Sequence, residues 1–123
     1  MIKIEKEKSY VIFTPVSDSG ITYPIELDRN AVPSLQEAFL EAEKEKILCF
    51  ILNAEHITFI DVAILRCLIQ EERALKKKGG QFILLSPQLA IQHLLKIARL
   101  TESLCVASSI EEARELSQLS SHG

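Results

Sequence analysis

Three cysteines and three histidines are the side chains best suited to metal or nucleophilic chemistry, and their spacing argues against both. Cys49, Cys67 and Cys105 are far apart and odd in number, with no C-x-x-C pair of the kind that builds a zinc or redox site. Apolar residues flank them, so three small, buried, reduced thiols are expected. His56, His93 and His122 are isolated from one another. No metal ligand set and no cofactor follow from them. Acid–base catalysis needs paired groups; Asp61 and His56 lie five residues apart across a loop, which gives no geometric warrant. There is no Gly-rich phosphate loop and no G-x-S-x-G elbow. An enzyme or a nucleotide-binding module is the weaker alternative, and no motif supports it.

The elements that would position any site fit a single domain. The chain has 123 residues, 47% apolar and 25% charged, the balance of a globular protein. Five Phe, two Tyr and no Trp predict an aliphatic core. Fourteen Lys and Arg against seventeen Asp and Glu give a net charge of −3, which disfavours nucleic acid as a partner. No run approaches the ~20 apolar residues of a membrane span, and Met1-Ile2-Lys3-Ile4-Glu5-Lys6 has no signal-peptide core. A cytoplasmic location is the expectation.

Tyr10 to Thr14 reads as a strand, Asp18-Ser19-Gly20 as a turn, and Ile21 to Leu27 as a second strand with Pro24 at an edge or bulge. Leu35, Ala38, Phe39 and Ala42 line one helix face, with Ser34 as N-cap and Glu37 completing a capping box. Ile47-Leu48-Cys49-Phe50-Ile51-Leu52 is a continuous apolar run suited to a central strand buried on both faces. A loop leads to Asp61, which can cap a helix over Val62 to Lys78 with Leu65, Leu68, Ile69, Glu72 and Leu75 at helical spacing; Lys76-Lys77-Lys78 and Gly79-Gly80 mark its end. Phe82 to Leu85 is the next strand. Ser86-Pro87 opens a helix carrying Leu89, Leu94, Ile97 and Ala98 to about Leu100. Leu104 to Ala107 is a last strand, and Ser109-Ile110-Glu111-Glu112 a capping box into a terminal helix. The order β-β-α-β-α-β-α-β-α predicts an α/β fold: a mixed sheet of about five strands, an initial hairpin followed by parallel strands, packed against about four helices. One domain over 1–116 is expected, with 117–123 a flexible polar tail.

This order resembles the STAS family, shared by sulfate transporters and bacterial anti-sigma factor antagonists. Ile51 to Asp61 resembles the family's central strand and the loop before its signature Asp-Ser-Ser-Gly-Leu. Glu26-Leu27-Asp28, Gly79-Gly80-Gln81-Phe82, Ser86-Pro87-Gln88 and Ser109 to Ala113 resemble further family segments in the correct order. Residues 16–25 are longer than the family norm.

In antagonists of the family, the first Ser after the signature Asp is phosphorylated by a partner kinase. A helix N-terminus suits that role, because its free N–H groups favour an anion. Here the sequence is Asp61-Val62-Ala63-Ile64-Leu65. The acceptor position is Val62, which has no hydroxyl and cannot be phosphorylated. Thr58 and Ser86 are the nearest hydroxyls.

Two readings of Asp61 to Arg66 stand side by side. In one, Val62, Ile64 and Arg66 form an unmodified docking surface; in the other, Asp61 caps its helix and the apolar residues turn inward. Four successive helical positions span ~300°, so Val62, Ala63, Ile64 and Leu65 cannot all face the core. The resemblance implies a non-enzymatic regulator that binds a protein through Asp28, Asp61, Val62, Ala63, Ile64 and Arg66. The expected partner is an anti-sigma factor of the serine-kinase type. An accessory subunit of a cytoplasmic transporter ATPase is the alternative, and self-association is left open.

Overall fold

A computed structural model of the chain describes residues 2–17, 19, 23–99 and 104–120, with side chains as far as residue 118. Ile2–Lys6 (β1) alternates Ile with Lys and Glu and pairs antiparallel with Val11–Pro15 (β2), Ile4 opposite Phe13. Beyond this hairpin come Cys49–Asn53 (β4), Gln81–Leu85 (β6) and Cys105–Ala107 (β7), all parallel, in the spatial order β1-β2-β4-β6-β7. Ile25–Leu27 (β3) and Ile57–Ile60 (β5) form a separate parallel pair. The helices are Val32–Lys44 (α1), Val62–Lys77 (α2), Leu89–Ile97 (α3) and Ile110–Ser120 (α4). The expected α/β class, with a hairpin feeding parallel strands and four helices, is what the chain adopts.

The partners within that class differ from the pattern. The hairpin is β1 with β2; the expected second strand shrinks to β3 and pairs with β5, not with β2. Four residues of alternation in Ile2 to Glu5 are too few to announce an edge strand, and β5 sat inside what reads as a loop. Asp18, Gly20 and residues 21–22 lie outside the described residues.

Period-2 alternation divides the core. Phe50 and Leu52 of β4, with Phe82 and Leu84 of β6, face α1, α2 and α3; Cys49, Ile51, Ile83 and Leu85 face α4. Parallel strands buried on both sides require continuous apolar runs, and both strands supply them. The core is not purely aliphatic. Phe13, Phe39, Phe50 and Phe82 meet at its centre, with ring centroids 5.1 Å apart for Phe13 and Phe39 and 5.6 Å for Phe39 and Phe50. Few aromatics are present, but they are concentrated where α1 meets the sheet.

Helix starts are the other correction. Ser34 does not cap α1. The Asp28 carboxylate accepts the Asn30 N–H at 2.9 Å and starts a 3-10 turn over Arg29–Ala31, which runs into α1 with Pro33 in its first turn. Ser86 does not open α3 either: its φ of 51° is left-handed, and its hydroxyl donates to the Ser108 carbonyl at 3.0 Å. α3 therefore begins at Leu89 and ends at Ile97; Leu100 lies outside the described residues. Its covered face is Ile91 and Leu95, whereas Leu89 and Ile97 are exposed. A helix apolar on nearly all sides does not announce which side is covered.

At the end of the chain, the Ser109 hydroxyl accepts the Glu112 N–H at 3.2 Å, as a capping box requires, while the Glu112 carboxylate accepts from Ser108 rather than from Ser109. α4 runs on to Ser120, past the expected boundary at 116, with Ser117 buried and donating to the Arg114 carbonyl. Residues 121–123 lie outside the described residues. Two side chains tie α4 down: Gln81 Nε2 donates to the Leu116 carbonyl at 2.6 Å and Arg114 Nε to the Tyr10 hydroxyl at 2.9 Å.

Candidate functional site

The paired strands β3 and β5 bring two distant turns together. Leu27 stands beside Ile60 in the parallel register, and the Asp61 N–H donates to the Leu27 carbonyl at 2.9 Å. Asp28 and Asp61, thirty-three positions apart in the chain, therefore leave adjacent strand ends, one entering the 3-10 turn before α1 and the other entering α2.

Asp61 is the N-terminal flanking residue of α2, yet its carboxylate makes no hydrogen bond to the helix. Its main-chain carbonyl accepts from Ile64 and Leu65 at 3.0 and 3.1 Å. The side chain instead faces Arg29, with Nε 4.0 Å from Oδ2. The Arg29 side chain is largely exposed, so this pair is worth at most ~1 kcal/mol. It nonetheless places a cation at the junction of the two turns. Sequence reading missed Arg29, because only the β3–β5 register brings it to Asp61.

The four apolar residues at the start of α2 divide sharply. Val62 is 59% exposed, Ala63 is half-buried, and Ile64 and Leu65 are buried in the core. Ile64 is thus lost from the expected docking surface: it lies on the same inward face as Leu68 and Leu75. Arg66, one turn after Val62 on the same side of the helix, is exposed. Phe59, two residues before Asp61, is 49% exposed and lies across from Glu26 on the open face of the β3–β5 pair. Phe59 also went unmarked in the sequence reading, where it stood within a loop.

Glu72, on the inward face of α2, is buried, and Lys76 one turn later holds its carboxylate at 2.7 Å. A lone charge would not be tolerated there.

The remaining polar candidates are dispersed. His56 and Asp61 flank β5 at opposite ends, so the strand's ~3.3 Å per residue keeps them apart. His56 packs edge-on against Tyr23, ring centroids 5.7 Å apart. Thr58 donates to the Ile25 carbonyl at 3.3 Å. Cys49 and Cys67 are buried, while Cys105, on the edge strand β7, is exposed, contrary to expectation. Burial pushes the Cys49 thiol up to about 11 and raises that of Cys67, which keeps both protonated and unreactive at neutral pH. Among the described residues, no three His, Cys, Asp or Glu side chains group as a metal site. No helix of the described residues is long and apolar enough to cross a membrane.

The exposed Val62 begins α2 directly after Asp61, which is paired with Arg29, and Arg66 follows one turn later. Such a patch gains from burial against a complementary protein surface, at ~25 cal/mol per Å² of apolar area, with the charged rim setting orientation.

Solved structures share this architecture. A Thermotoga maritima protein assigned to the anti-sigma factor antagonists superposes with a TM-score of 0.81 at 18% identity, covering 95% of this chain and 94% of that one. The anti-sigma factor antagonist SpoIIAA, in its unphosphorylated form, gives 0.75 at 19% identity, covering 94% and 96%. An antagonist from Mycobacterium paratuberculosis gives 0.78 at 13% identity, covering 96% and 93%. At these identities the likeness is one of fold. Residues 15–113 match the model of the STAS domain. That stretch holds every element from the end of β2 to the first turn of α4, and the chain belongs to the STAS domain family, in which anti-sigma factor antagonists are non-enzymatic regulators.

Proposed function

We propose that this chain is a regulatory STAS protein that binds an anti-sigma factor of the serine-kinase type through Asp28, Arg29, Asp61, Val62, Ala63 and Arg66. It binds constitutively, because the position where the family's antagonists carry a phosphorylatable Ser is a valine. The observation that carries this reading is Val62 itself: at the first position of α2 it is 59% exposed, although the core takes its neighbours Ile64 and Leu65. An exposed branched side chain at that point is a contact in waiting, and no transferable phosphate can be placed on it.

Val62→Asp tests the surface. A charge at the centre of an apolar contact is expected to weaken binding to a serine-kinase anti-sigma factor at least ~10-fold, or ~1.4 kcal/mol, by calorimetry. The fold should not suffer, since the side chain is exposed. Unchanged affinity in a folded variant would remove Val62 from the interface.

Phosphoryl transfer tests the constitutive character. Incubated with such a kinase and ATP, the chain is expected to keep its unmodified mass, while Val62→Ser acquires one phosphate. Phosphate on Thr58 or Ser86 of the unaltered chain would contradict the proposal. Both hydroxyls are already engaged, Thr58 with the Ile25 carbonyl and Ser86 with the Ser108 carbonyl.

A further inference from the structure

α1 and α2 pack side by side, and between them lies a cavity of about 260 Å³ lined in part by Gln36, Glu43, Cys67, Gln70 and Glu71. Two acids meet in it. Glu43 from α1 and Glu71 from α2 both line it, and Glu71 Oε1 is covered from solvent with no hydrogen-bond partner among the described residues. Ionised carboxylates only accept, so these two can bond to one another only with a proton between them. The charged groups facing Glu71 are Glu43, from α1, and Lys78, from just beyond the end of α2, with Nζ 3.6 Å from Glu43 Oε1. The Cys67 thiol stands one turn before Glu71 on its own helix. One lysine balances one carboxylate and leaves the second without a counter-charge.

We propose that this seam is a proton-operated clamp. With Glu43 ionised against Lys78 and Glu71 protonated, Glu71 donates to Glu43 and bonds α1 to α2. When Glu71 releases its proton to solvent, two anions face each other across the cavity and the C-terminal halves of the helices loosen. The same two helices begin at the turns that carry Asp28 and Asp61, so the clamp spans the far ends of the elements that hold the candidate surface.

Burial pushes the Glu71 carboxyl up to about 7, the Glu43 hydrogen bond and charge add to the rise, and Lys78 opposes it. In the unfolded chain the group titrates near its ordinary 4.5. Between those values the folded state holds a proton that the unfolded state has lost. The stabilisation is therefore complete below the unfolded value and is lost as pH rises through the folded one.

Carbon-detected NMR of the full chain, following the Glu71 side-chain carboxyl, tests this without any substitution: a midpoint near 7 is expected. In Glu43→Gln the midpoint is expected to fall, because the amide removes the facing charge and can donate to ionised Glu71. Thermal unfolding gives the second readout. The chain is expected to lose thermal midpoint between about pH 5 and about pH 8, and Glu71→Gln to lose less over that window, while Glu41→Gln, exposed and paired with Lys6, follows the unaltered chain. A Glu71 midpoint near 4.5, or a pH slope that Glu71→Gln leaves intact, would overturn the clamp.

Discussion

Phe50→Ala is expected to lower the free energy of unfolding by ~3–5 kcal/mol, the cost of truncating a fully enclosed aromatic side chain. Phe50 lies on β4, the middle strand of the five, and has no accessible surface. Its ring is stacked on Phe39 and meets Phe13 and Phe82 edge-on, centroids 5.2 and 6.4 Å away. Removing it takes away the transfer energy of the ring and opens a hole whose walls belong to a sheet and a helix, neither of which can close it without breaking hydrogen bonds. A domain of this size has ~5–15 kcal/mol of stability in all, so a large share would go. Urea unfolding checks this, with Phe59→Ala as the matched comparison: Phe59 is half exposed, and its loss should change stability by no more than about 0.5 kcal/mol. Similar values for the two variants would mean that the aromatic cluster is not the centre of the core.

The second large effect is expected at Gly80→Ala, toward the top of the ~1–3 kcal/mol typical of overpacking. A Cβ there would collide with Leu48 O and meet Leu48 Cβ at 2.9 Å. That carbonyl cannot swing aside, because it accepts the Gln81 N–H at 3.0 Å and so fixes the start of β6 beside β4. Gly79 provides the contrast. It ends α2 with φ of 83° and has open space where a Cβ would sit, so Gly79→Ala pays only for a left-handed backbone, ~1–2 kcal/mol. The two adjacent glycines thus serve different ends, one conformational and one steric. Chemical denaturation of both alanine variants should rank Gly80→Ala as the more damaging; the reverse order would show that the β4–β6 junction can shift to admit a methyl group.

Elements with a signal confined to their own residues were legible. The apolar runs in β4 and β6 announce strands buried on both faces, and α2 is delimited by its spacing and by Gly79-Gly80. Elements that depend on a partner were not. β3 is three residues long and β5 four, and neither has strand character until the other lies alongside. The N-caps failed for a related reason: Ser34 and Ser86 are good capping residues by type, but Asp28 had already turned the chain before α1, and the Ser86 hydroxyl is held by the Ser108 carbonyl.

The candidate surface shows the same division. Val62 could be recognised from the sequence as a residue without a hydroxyl at the position that the family resemblance makes the acceptor, and the 3.6 period required that some of the four apolar residues at the start of α2 stay outside the core. Which of them would do so was decided by the packing of α2 on the sheet, which took Ile64 and Leu65 and left Val62. Arg29 reaches Asp61 only through the parallel pairing of β3 with β5. Composition, helical period and the order of elements are local properties of the chain and determine the α/β architecture and the chemistry excluded at residue 62. The meeting of Asp28, Arg29 and Asp61, and of Glu43 with Glu71, depends on strand register and helix packing, which are set by contacts between residues about thirty positions apart.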